Sequence, residues 1–508
     1  MPERTMMHKR EYLFNGQSKS EVPRDITDVA VDDSVEKIAD GLFFQCERLV
    51  AVDLLEGLRI IGAFAFGRCT SLTSISIPST VEEISEDTFC YCKSLTTVHL
   101  ENGLQSIGKR AFESCTSLTL LSIPSTVENI DRSAFRSCTS LKTVEMREGL
   151  KLIGSHSFYE CKALTGISVP STVWKIGAHA FAKCKSLVDV QFQDGGLKNI
   201  GQMTFHLCSS LFAISLPKSL ESTGNALFLD CSTLLGVEFP LGINVKMENH
   251  TFASCSALVN IFIPPSIDDE EGFGKCTNCF ALDRMIGNQD TTEALKTRFD
   301  NRPIHEACYY ASRTTVYDMA AIPVSISEDG DTVVDSLGMS PFHIVATSAN
   351  QRGDLLETLF DRYPLEVASR KDKNGKTMMD YLLINRSPKA IPLIQMVLQR
   401  TLVDPMSTWG LTDWKLNLSS MVMESDVWQG HAGIRRQSLK RVQNTLELFR
   451  RMEKTSLLEL AIWKMAVGRI CEMSTQSASM DREGYRIVGG ADVIIPQVIR
   501  FVAGTSSA

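Results

Sequence analysis

Cysteine is the chemically reactive residue that recurs most regularly in this sequence, and it could serve redox chemistry, metal binding or packing. A spacing of 23 or 24 residues joins Cys46, Cys69, Cys92, Cys115, Cys138, Cys161, Cys184, Cys208, Cys231, Cys255 and Cys279. In stacked coils, equivalent residues lie roughly 5 Å apart, which is within reach of a disulfide. Because the sequence shows no secretory leader, we expect reduced thiols that pack as small hydrophobes.

Two short motifs could indicate a metal, redox or nucleotide site. Cys276-Thr-Asn-Cys279 has the spacing of half a zinc site, but no second CxxC or His pair follows it, and Cys279 belongs to the regular series. Gly375-Lys376-Thr377 resembles the end of a phosphate-binding loop, but Arg370 stands where that loop needs glycine. We therefore expect neither motif to act chemically.

The nine histidines are scattered along the chain. We expect His305 and His343 to bond backbone in turns, and four others to lie near coil turns: His156, His179, His206 and His250. None pairs with Cys, Asp or Glu at the spacing of a metal site, and the Gly-x-Ser-x-Gly and His-Glu-x-x-His motifs are absent. The sequence predicts no catalytic residue, cofactor or metal, and favours a binding protein over an enzyme.

The elements that would position these residues follow the same period. A Phe stands three residues before each Cys from Cys46 to Cys255, and a Leu stands three residues after it. Within one coil, Leu72-x-x-Ile75-x-Ile77 alternates as a short strand, Pro78 turns the chain, and Phe89 closes the coil. This periodicity predicts a solenoid of about 23-residue coils with short strands stacked in parallel.

The coils also alternate in pairs, so that the unit of duplication is 46 residues. One type has a Pro-Ser-Thr turn after the strand, as in Ile77-Pro-Ser-Thr-Val81. The other has an acidic-Gly turn, as in Leu100-Glu-Asn-Gly-Leu104. The combination of Leu-x-x-Ile-x-Ile-Pro, Val-x-x-Ile-Gly, Ala-Phe and Cys-x-Ser-Leu resembles the BspA-type leucine-rich repeats. That resemblance covers about residues 25–285 and implies a leucine-rich-repeat solenoid for protein recognition, on microbial surfaces or inside single-celled eukaryotes.

A weaker repeat follows the solenoid. Arg302-Pro-Ile-His-Glu-Ala-Cys308 and Ser340-Pro-Phe-His-Ile-Val-Ala346 resemble the Thr-Pro-Leu-His-x-Ala signature of ankyrin repeats, and Asp372–Leu382 resembles another start, with Asp380 in the His position. The whole order is similar to uncharacterised repeat-protein families of diatoms. The predicted domains are 1–24 as a flexible lead-in, 25–285 as a solenoid of 10–11 coils, 286–300 as a linker or junction helix, 301–402 as ankyrin-like repeats and 403–508 as a helical C-terminal region.

Charge and hydropathy exclude two classes of partner. The net charge is −8 and the pI about 5.7, which argues against a nucleic-acid footprint and against an anionic membrane surface. No apolar window has the length of a membrane span, so we expect no membrane insertion. With no leader recognised, the sequence predicts a cytoplasmic protein whose partners are other proteins.

The best candidate for a functional surface is the concave side of the strands. Residues between the inward strand positions form one polar row, in which Ser alternates with larger groups: Asp53, Ser76, His99, Ser122, Glu145, Ser168, Gln191, Ser215, Glu238 and Phe262. We predict that Phe212 and Phe262 stand exposed there as contact anchors. A solvated sheet face would also be polar, so that alternative stays open.

Three functions fit these patterns. The first is a non-catalytic scaffold or adaptor that binds proteins through the concave face and the ankyrin-like module. The second is a ligand-sensing adaptor that binds a peptide or glycan on the solenoid. The third is an enzyme with an unrecognised site in residues 403–508.

Overall fold

The structure of the protein is a computed structural model. It describes residues 11–16, 22–264, 276–287, 291–300, 302–311, 334–348, 353–363, 365–384 and a few positions between 390 and 397. The chain divides into two compact units, 1–387 and 388–508, and the elements below belong to the first. The predicted helical region 403–508 lies outside the described residues.

Strands fill the first part of this unit and helices the second. In chain order the strands are β1 (Glu11–Phe14), β2 (Asp28–Val31), β3 (Lys37–Ile38), β4 (Ala51–Asp53), β5 (Ile60–Ile61), β6 (Ser74–Ile77), β7 (Glu83–Ile84), β8 (Thr97–Leu100), β9 (Ser106–Ile107), β10 (Leu120–Ile123), β11 (Asn129–Ile130), β12 (Thr143–Met146), β13 (Leu152–Ile153), β14 (Gly166–Val169), β15 (Lys175–Ile176), β16 (Asp189–Phe192), β17 (Asn199–Ile200), β18 (Ala213–Ser215), β19 (Ser222–Thr223), β20 (Gly236–Glu238) and β21 (Asn260–Ile261). The helices are α1 (Phe280–Ile286), α2 (Thr291–Lys296), α3 (Pro303–Ala311), α4 (Pro341–Ala346), α5 (Gly353–Arg362), α6 (Leu365–Ala368) and α7 (Met378–Ile384).

Most coils contribute one longer strand and one two-residue strand, and the strand pairings within the described residues are all parallel. The short strands form one nine-stranded sheet from β3 to β19. The longer strands pair with a one-coil offset, so that Ile75 lies opposite Val98 and Ser76 opposite His99. The predicted parallel solenoid of about 23-residue coils is therefore confirmed.

A continuous stack of phenylalanine rings fills the centre of the solenoid. From Phe43 to Phe252, successive rings lie 5.1–5.9 Å apart and are within 11° of parallel. All of these rings are buried, as predicted. Because each ring covers the next, no coil could bury its own core without its neighbours.

The row of cysteines joins each coil to the one before it. The thiol of Cys69 donates to the Phe43 carbonyl at 3.2 Å, and the same contact recurs along the row at 3.0–3.3 Å. That carbonyl also accepts the Cys46 N–H at 3.1 Å, so both of its lone pairs are used. Burial raises the pKa of the Cys138 and Cys231 thiols to about 12. The 14 described cysteines are free and buried, which confirms the predicted thiol row.

Each coil makes tight turns near its Phe residue, and hydrogen bonds to the next coil stabilise these turns. Phe64 and Arg68 have positive φ angles of 56° and 61°, and equivalent non-glycine residues recur in later coils. Each such residue costs about 1–2 kcal/mol in this conformation. The N–H groups of these strained residues donate to carbonyl groups of the next coil: Phe64 N to Glu86 O at 3.0 Å and Arg68 N to Cys90 O at 2.7 Å.

Hydrogen bonds between neighbouring turns explain why the two types of coil alternate. The Thr126 hydroxyl accepts from Gly103 N at 3.0 Å and donates to Leu104 O at 2.7 Å. Gly103 has a φ of 131°, and a Cβ there would lie 1.9 Å from Ser79 O. An acidic-Gly turn therefore fits between two Pro-Ser-Thr turns.

The open N-terminal end of the solenoid is covered by β1, which pairs in parallel with β2. Tyr12 and Phe14 set their rings edge-on to Phe43 at 6.5 and 5.9 Å. The sequence predicts a flexible lead-in over residues 1–24, whereas Glu11–Phe14 forms a paired strand. The physical reason is that the first ring of the Phe stack needs a cover.

The substitution Thr126→Val tests the pairing of turns. It keeps the shape of the side chain but leaves Gly103 N–H and Leu104 C=O without their partner, so we expect a loss of about 1–3 kcal/mol in unfolding free energy. The control is Thr116→Val, whose hydroxyl makes one exposed contact of 3.4 Å, with an expected change within about 0.5 kcal/mol. Urea denaturation measures both, and equal losses would contradict the assignment.

Candidate functional site

The candidate surface is the side of the longer strands that faces away from the core, here called the outer strand face. In β8, Val98 is buried while Thr97 and His99 are exposed, because side chains alternate along a strand. The one-coil register then aligns outward residues of neighbouring strands: Ser76 with His99, Ser122 with Glu145, Ser168 with Gln191, and Ser215 with Glu238.

The N-terminal and middle parts of the predicted row are open to solvent. Five members are exposed: Asp53, Ser76, His99, Glu145 and Gln191. Ser122, Ser168 and Ser215 are half-buried between larger neighbours. The exposed members include two carboxylates and no Lys or Arg, so this part of the outer strand face has acidic character.

The C-terminal part of the row is covered. Phe212, Glu238 and Phe262 are only 3%, 1% and 5% exposed. The prediction that Phe212 and Phe262 are exposed anchors is wrong, as is the outward exposure expected of Glu238. Residues that directly follow α4 cover β20: Ser348 donates to the Glu238 carboxylate, and the Thr347 carbonyl lies where a Cβ on Gly236 would stand.

Aromatic side chains form one half of this junction. The Phe262 ring packs against Phe299 at 4.9 Å, Tyr309 at 5.8 Å and Tyr310 at 6.2 Å. The Tyr309 hydroxyl donates to Val237 O at 2.7 Å and accepts from Phe239 N at 3.2 Å. Tyr309 thereby extends the hydrogen bonding of β20 into helix α3.

A buried ion pair forms the other half. Arg298 and Asp335 have no solvent exposure at their side chains, and Arg298 Nε lies 2.7 Å from Asp335 Oδ2. The same guanidinium donates to Asn260 Oδ1 at 2.9 Å and to Ile261 O at 2.8 Å. Asn260 in turn donates to Ile344 O at 3.3 Å. Hydrogen bonds therefore join the buried ion pair, strand β21 and helix α4 in one network.

Sequence reasoning missed Arg298, Asp335, Asn260 and Tyr309. The available signal was the apolar character of outward positions near the end of the solenoid, such as Phe262. From the sequence this character indicates a contact for another protein, whereas in the structure the same chain supplies the covering surface.

Of the two histidines predicted to bond backbone in turns, His305 and His343, His343 makes such contacts at the start of α4. His343 Nδ1 lies 2.7 Å from Ser340 Oγ and accepts Ser340 N at 3.1 Å, while Nε2 lies 3.0 Å from Lys376 O. Asp380 takes the equivalent place in its own turn, since it accepts Thr377 N at 2.7 Å. These contacts give hydrogen-bond partners to backbone N–H and C=O groups of the turns. The ankyrin-like assignment itself stays a prediction.

The motifs considered for chemistry have structural roles. The Asp372 carboxylate accepts Lys376 N at 2.9 Å, so the Gly375-Lys376-Thr377 turn is closed on itself. Cys279 donates to Phe252 O at 3.1 Å like the rest of its row. Among the described residues there is no cluster of three metal-ligating side chains. In the same part of the chain, no helix combines the length and apolar character needed to span a bilayer.

Three of the four histidines predicted near coil turns, His156, His179 and His206, contact a side chain of a neighbouring coil. His156 and His179 stack at 4.7 Å, and burial, followed by the charge of His179, lowers the pKa of His156 to about 4. His206 Nε2 lies 3.3 Å from Asp230 Oδ2. Each of these contacts joins two neighbouring coils.

Parallel strands, a one-coil register and stacked inward Leu and Phe rows define a leucine-rich-repeat protein. The family model for the BspA type leucine rich repeat region matches in six copies, over residues 23–142, 59–187 and 151–280, which together span just over half of the chain. The chain belongs to this family.

Comparison with curated proteins gave no match. Among solved structures, a leucine rich cell surface protein from Faecalibacterium prausnitzii is 22% identical, over 53% of this chain and 86% of that one, with a TM-score of 0.30. The leucine rich repeat protein of T. pallidum is 25% identical over 41% and 77%, with a TM-score of 0.27. The pneumococcal vaccine antigen PcpA is 18% identical over 51% and 73%, with a TM-score of 0.32.

The substitution Arg298→Met tests the junction. It leaves Asp335 buried without its counter-charge, so we expect the region around the junction to lose about 3–5 kcal/mol of local stability. Hydrogen exchange measured by mass spectrometry should show faster exchange in peptides that cover α3 and β21. The double variant Arg298→Met with Asp335→Leu should recover part of the protection.

The matched control for this prediction is Lys109→Met. Lys109 pairs with Glu86 at 2.6 Å, but both side chains are more than 40% exposed. Such a surface pair contributes about 0–1 kcal/mol. Unchanged exchange at the junction in Arg298→Met would show that the buried pair does not hold the helices on the solenoid.

Proposed function

We propose that the protein is a non-catalytic interaction scaffold that binds a partner protein on its outer strand face between Asp53 and Gln191. Leucine-rich-repeat proteins generally mediate protein or surface interactions, and solenoids commonly use extended faces for this purpose. The proposal rests on the contrast in exposure between the two ends of the outer strand face. Helical residues already pack on the last strands, while the row from Asp53 to Gln191 stays exposed.

The exposed part of the face favours a basic partner segment. Asp53 and Glu145 are open to solvent, and Asp189 beside Gln191 accepts a hydrogen bond from its amide at 2.8 Å. Leu120 is 52% exposed beside Ser122 and offers an apolar contact in the middle of the face. Acidic groups around a single apolar contact suit a segment with basic residues around an apolar side chain.

The second part of the proposal concerns the helices after the solenoid. We propose that they are ankyrin-like and give the scaffold a second binding surface, so that the protein bridges two partners. The support is local: His343 and Asp380 each hold the backbone at the start of a helix. The closed Asp372 turn between α6 and α7 resembles the turns that precede such helices.

Reversing the charge of Glu145 tests the proposed partner surface on the outer strand face. We expect Glu145→Arg to weaken binding of a partner isolated with the wild-type protein by at least roughly tenfold, because like charges would face each other across the contact. Glu83→Arg is the matched control, since Glu83 is an exposed strand residue on the nine-stranded sheet. Surface plasmon resonance with the purified partner measures both. Equal affinities for the two variants would place the partner elsewhere.

We also propose a cytoplasmic location, supported by the free thiols of the described cysteines, which fit a reducing compartment. Mass mapping of the protein from its source cells, alkylated without reductant, should recover the row as unlinked cysteine. A Cys69–Cys92 disulfide in that material would contradict both the thiol row and the location.

A further inference from the structure

A cavity of about 410 Å³ lies where the end of the solenoid meets helices α2 and α3. This size falls within the range of small-ligand pockets in proteins. The cavity lies at the covered end of the outer strand face, so it is separate from the partner surface proposed above. Its lining combines three aromatic rings with three charged side chains.

The aromatic part consists of Phe262, Phe299 and Tyr310. Phe262 lies 4.9 Å from Phe299 at a tilt of 39° and meets Tyr310 edge-on at 6.2 Å. Each ring is at most 5% exposed, so packing fixes its orientation. An aromatic ring attracts a cation to its face through its quadrupole, and it does so most strongly where water is excluded.

The charged part lies on the rim. Glu306 and Asp300 contribute carboxylates, and Lys296 contributes the one basic group of the lining, so the lining carries a net charge of −1. Within the described residues, no ion pair joins these three side chains to each other or to another charged group. Burial, followed by the charge of Asp300, raises the pKa of Glu306. A bound cation would offset the repulsion between the two carboxylates.

We propose that this cavity binds an alkylated ammonium group, with its methyl groups against Phe262, Phe299 and Tyr310 and its charge next to Glu306. Alkylation favours this site because a weakly hydrated cation loses less on entering an aromatic pocket than a bare ammonium does. Leu241 on the rim adds apolar contact, and its 58% exposure leaves the entrance open to solvent. The group could come from a free ligand such as choline or from a methylated lysine of a protein.

The test uses the full chain and two small probes of the same shape. Choline carries the quaternary nitrogen, and 3,3-dimethylbutan-1-ol replaces that nitrogen with carbon. We expect saturable choline binding in a ligand-observed NMR titration, roughly tenfold tighter than binding of the neutral alcohol, as for a desolvated cation–π contact. Equal binding of both probes, or no saturable choline binding, overturns the proposal.

Substitutions on the rim locate the binding. Glu306→Gln keeps the shape and should weaken choline binding several-fold, whereas Lys296→Met removes the competing cation and should strengthen it. Leu241→Lys should weaken choline binding by adding a positive charge at the entrance, and Leu241→Gln is its neutral control. Thermal melting confirms that each variant is folded. A folded Glu306→Gln or Leu241→Lys variant with unchanged choline affinity overturns the assignment to this cavity.

A last comparison separates the two sources of the ligand. A peptide with trimethyllysine is titrated beside the same peptide with unmodified lysine. Tighter binding of the methylated peptide than of choline supports a protein side chain as the ligand, and tighter binding of choline supports a free ammonium compound. A preference for the unmodified peptide over the methylated one overturns the proposed selectivity.

Discussion

The contact on which the rest of the solenoid depends joins the Cys thiol of one coil to the Phe carbonyl of the coil before it. Each Phe carbonyl within the row accepts a backbone N–H from its own coil and a thiol from the next, while its ring stacks on the neighbouring rings. A thiol is small enough for this interior and is a weak donor, which suits an acceptor that already has one strong hydrogen bond. This contact recurs from Cys69 to Cys279, and over the same coils the strands pair with a one-coil offset that places the outward residues in rows.

A stack held together in this way has two ends, and the chain covers them differently. At the first coil, β1 continues the strand pairing and places Tyr12 and Phe14 edge-on against Phe43, the first ring of the stack. At the last coil, Cys279 makes the final thiol contact and immediately precedes helix α1. The helices then extend beyond the end of the solenoid onto the outer strand face, where Arg298 and Tyr309 hold them. One polar row is thereby divided into a covered part and an open part.

The repetitive features were predictable from the sequence because one physical demand acts at every coil. Spacing alone located the Phe, Cys and Leu rows, and strand alternation gave the outward row from Asp53 to Gln191. The junction was not predictable in the same way. Phe262 and Glu238 occupy the same phase as His99 and Glu145, and their burial depends on helices more than 30 residues further along the chain. An Arg298–Asp335 pair occurs once and leaves no periodic signal. Strand β1 was missed for a similar reason, since Glu11–Phe14 precedes the first recognisable repeat.

The outer strand face is divided into an open part and a covered part, and the reactivity of one introduced thiol at a time measures that division. Glu145 and Glu238 occupy equivalent outward positions, but only Glu145 is exposed. The buried cysteines of the row should react slowly with a maleimide probe, and the unsubstituted protein measures the background, which includes Cys471 outside the described residues. Glu145→Cys should react in the native protein at the rate of an unhindered thiol, and Glu238→Cys should react only after denaturation. Comparable native rates at both positions would contradict the account, because the helices would then not cover the last strands.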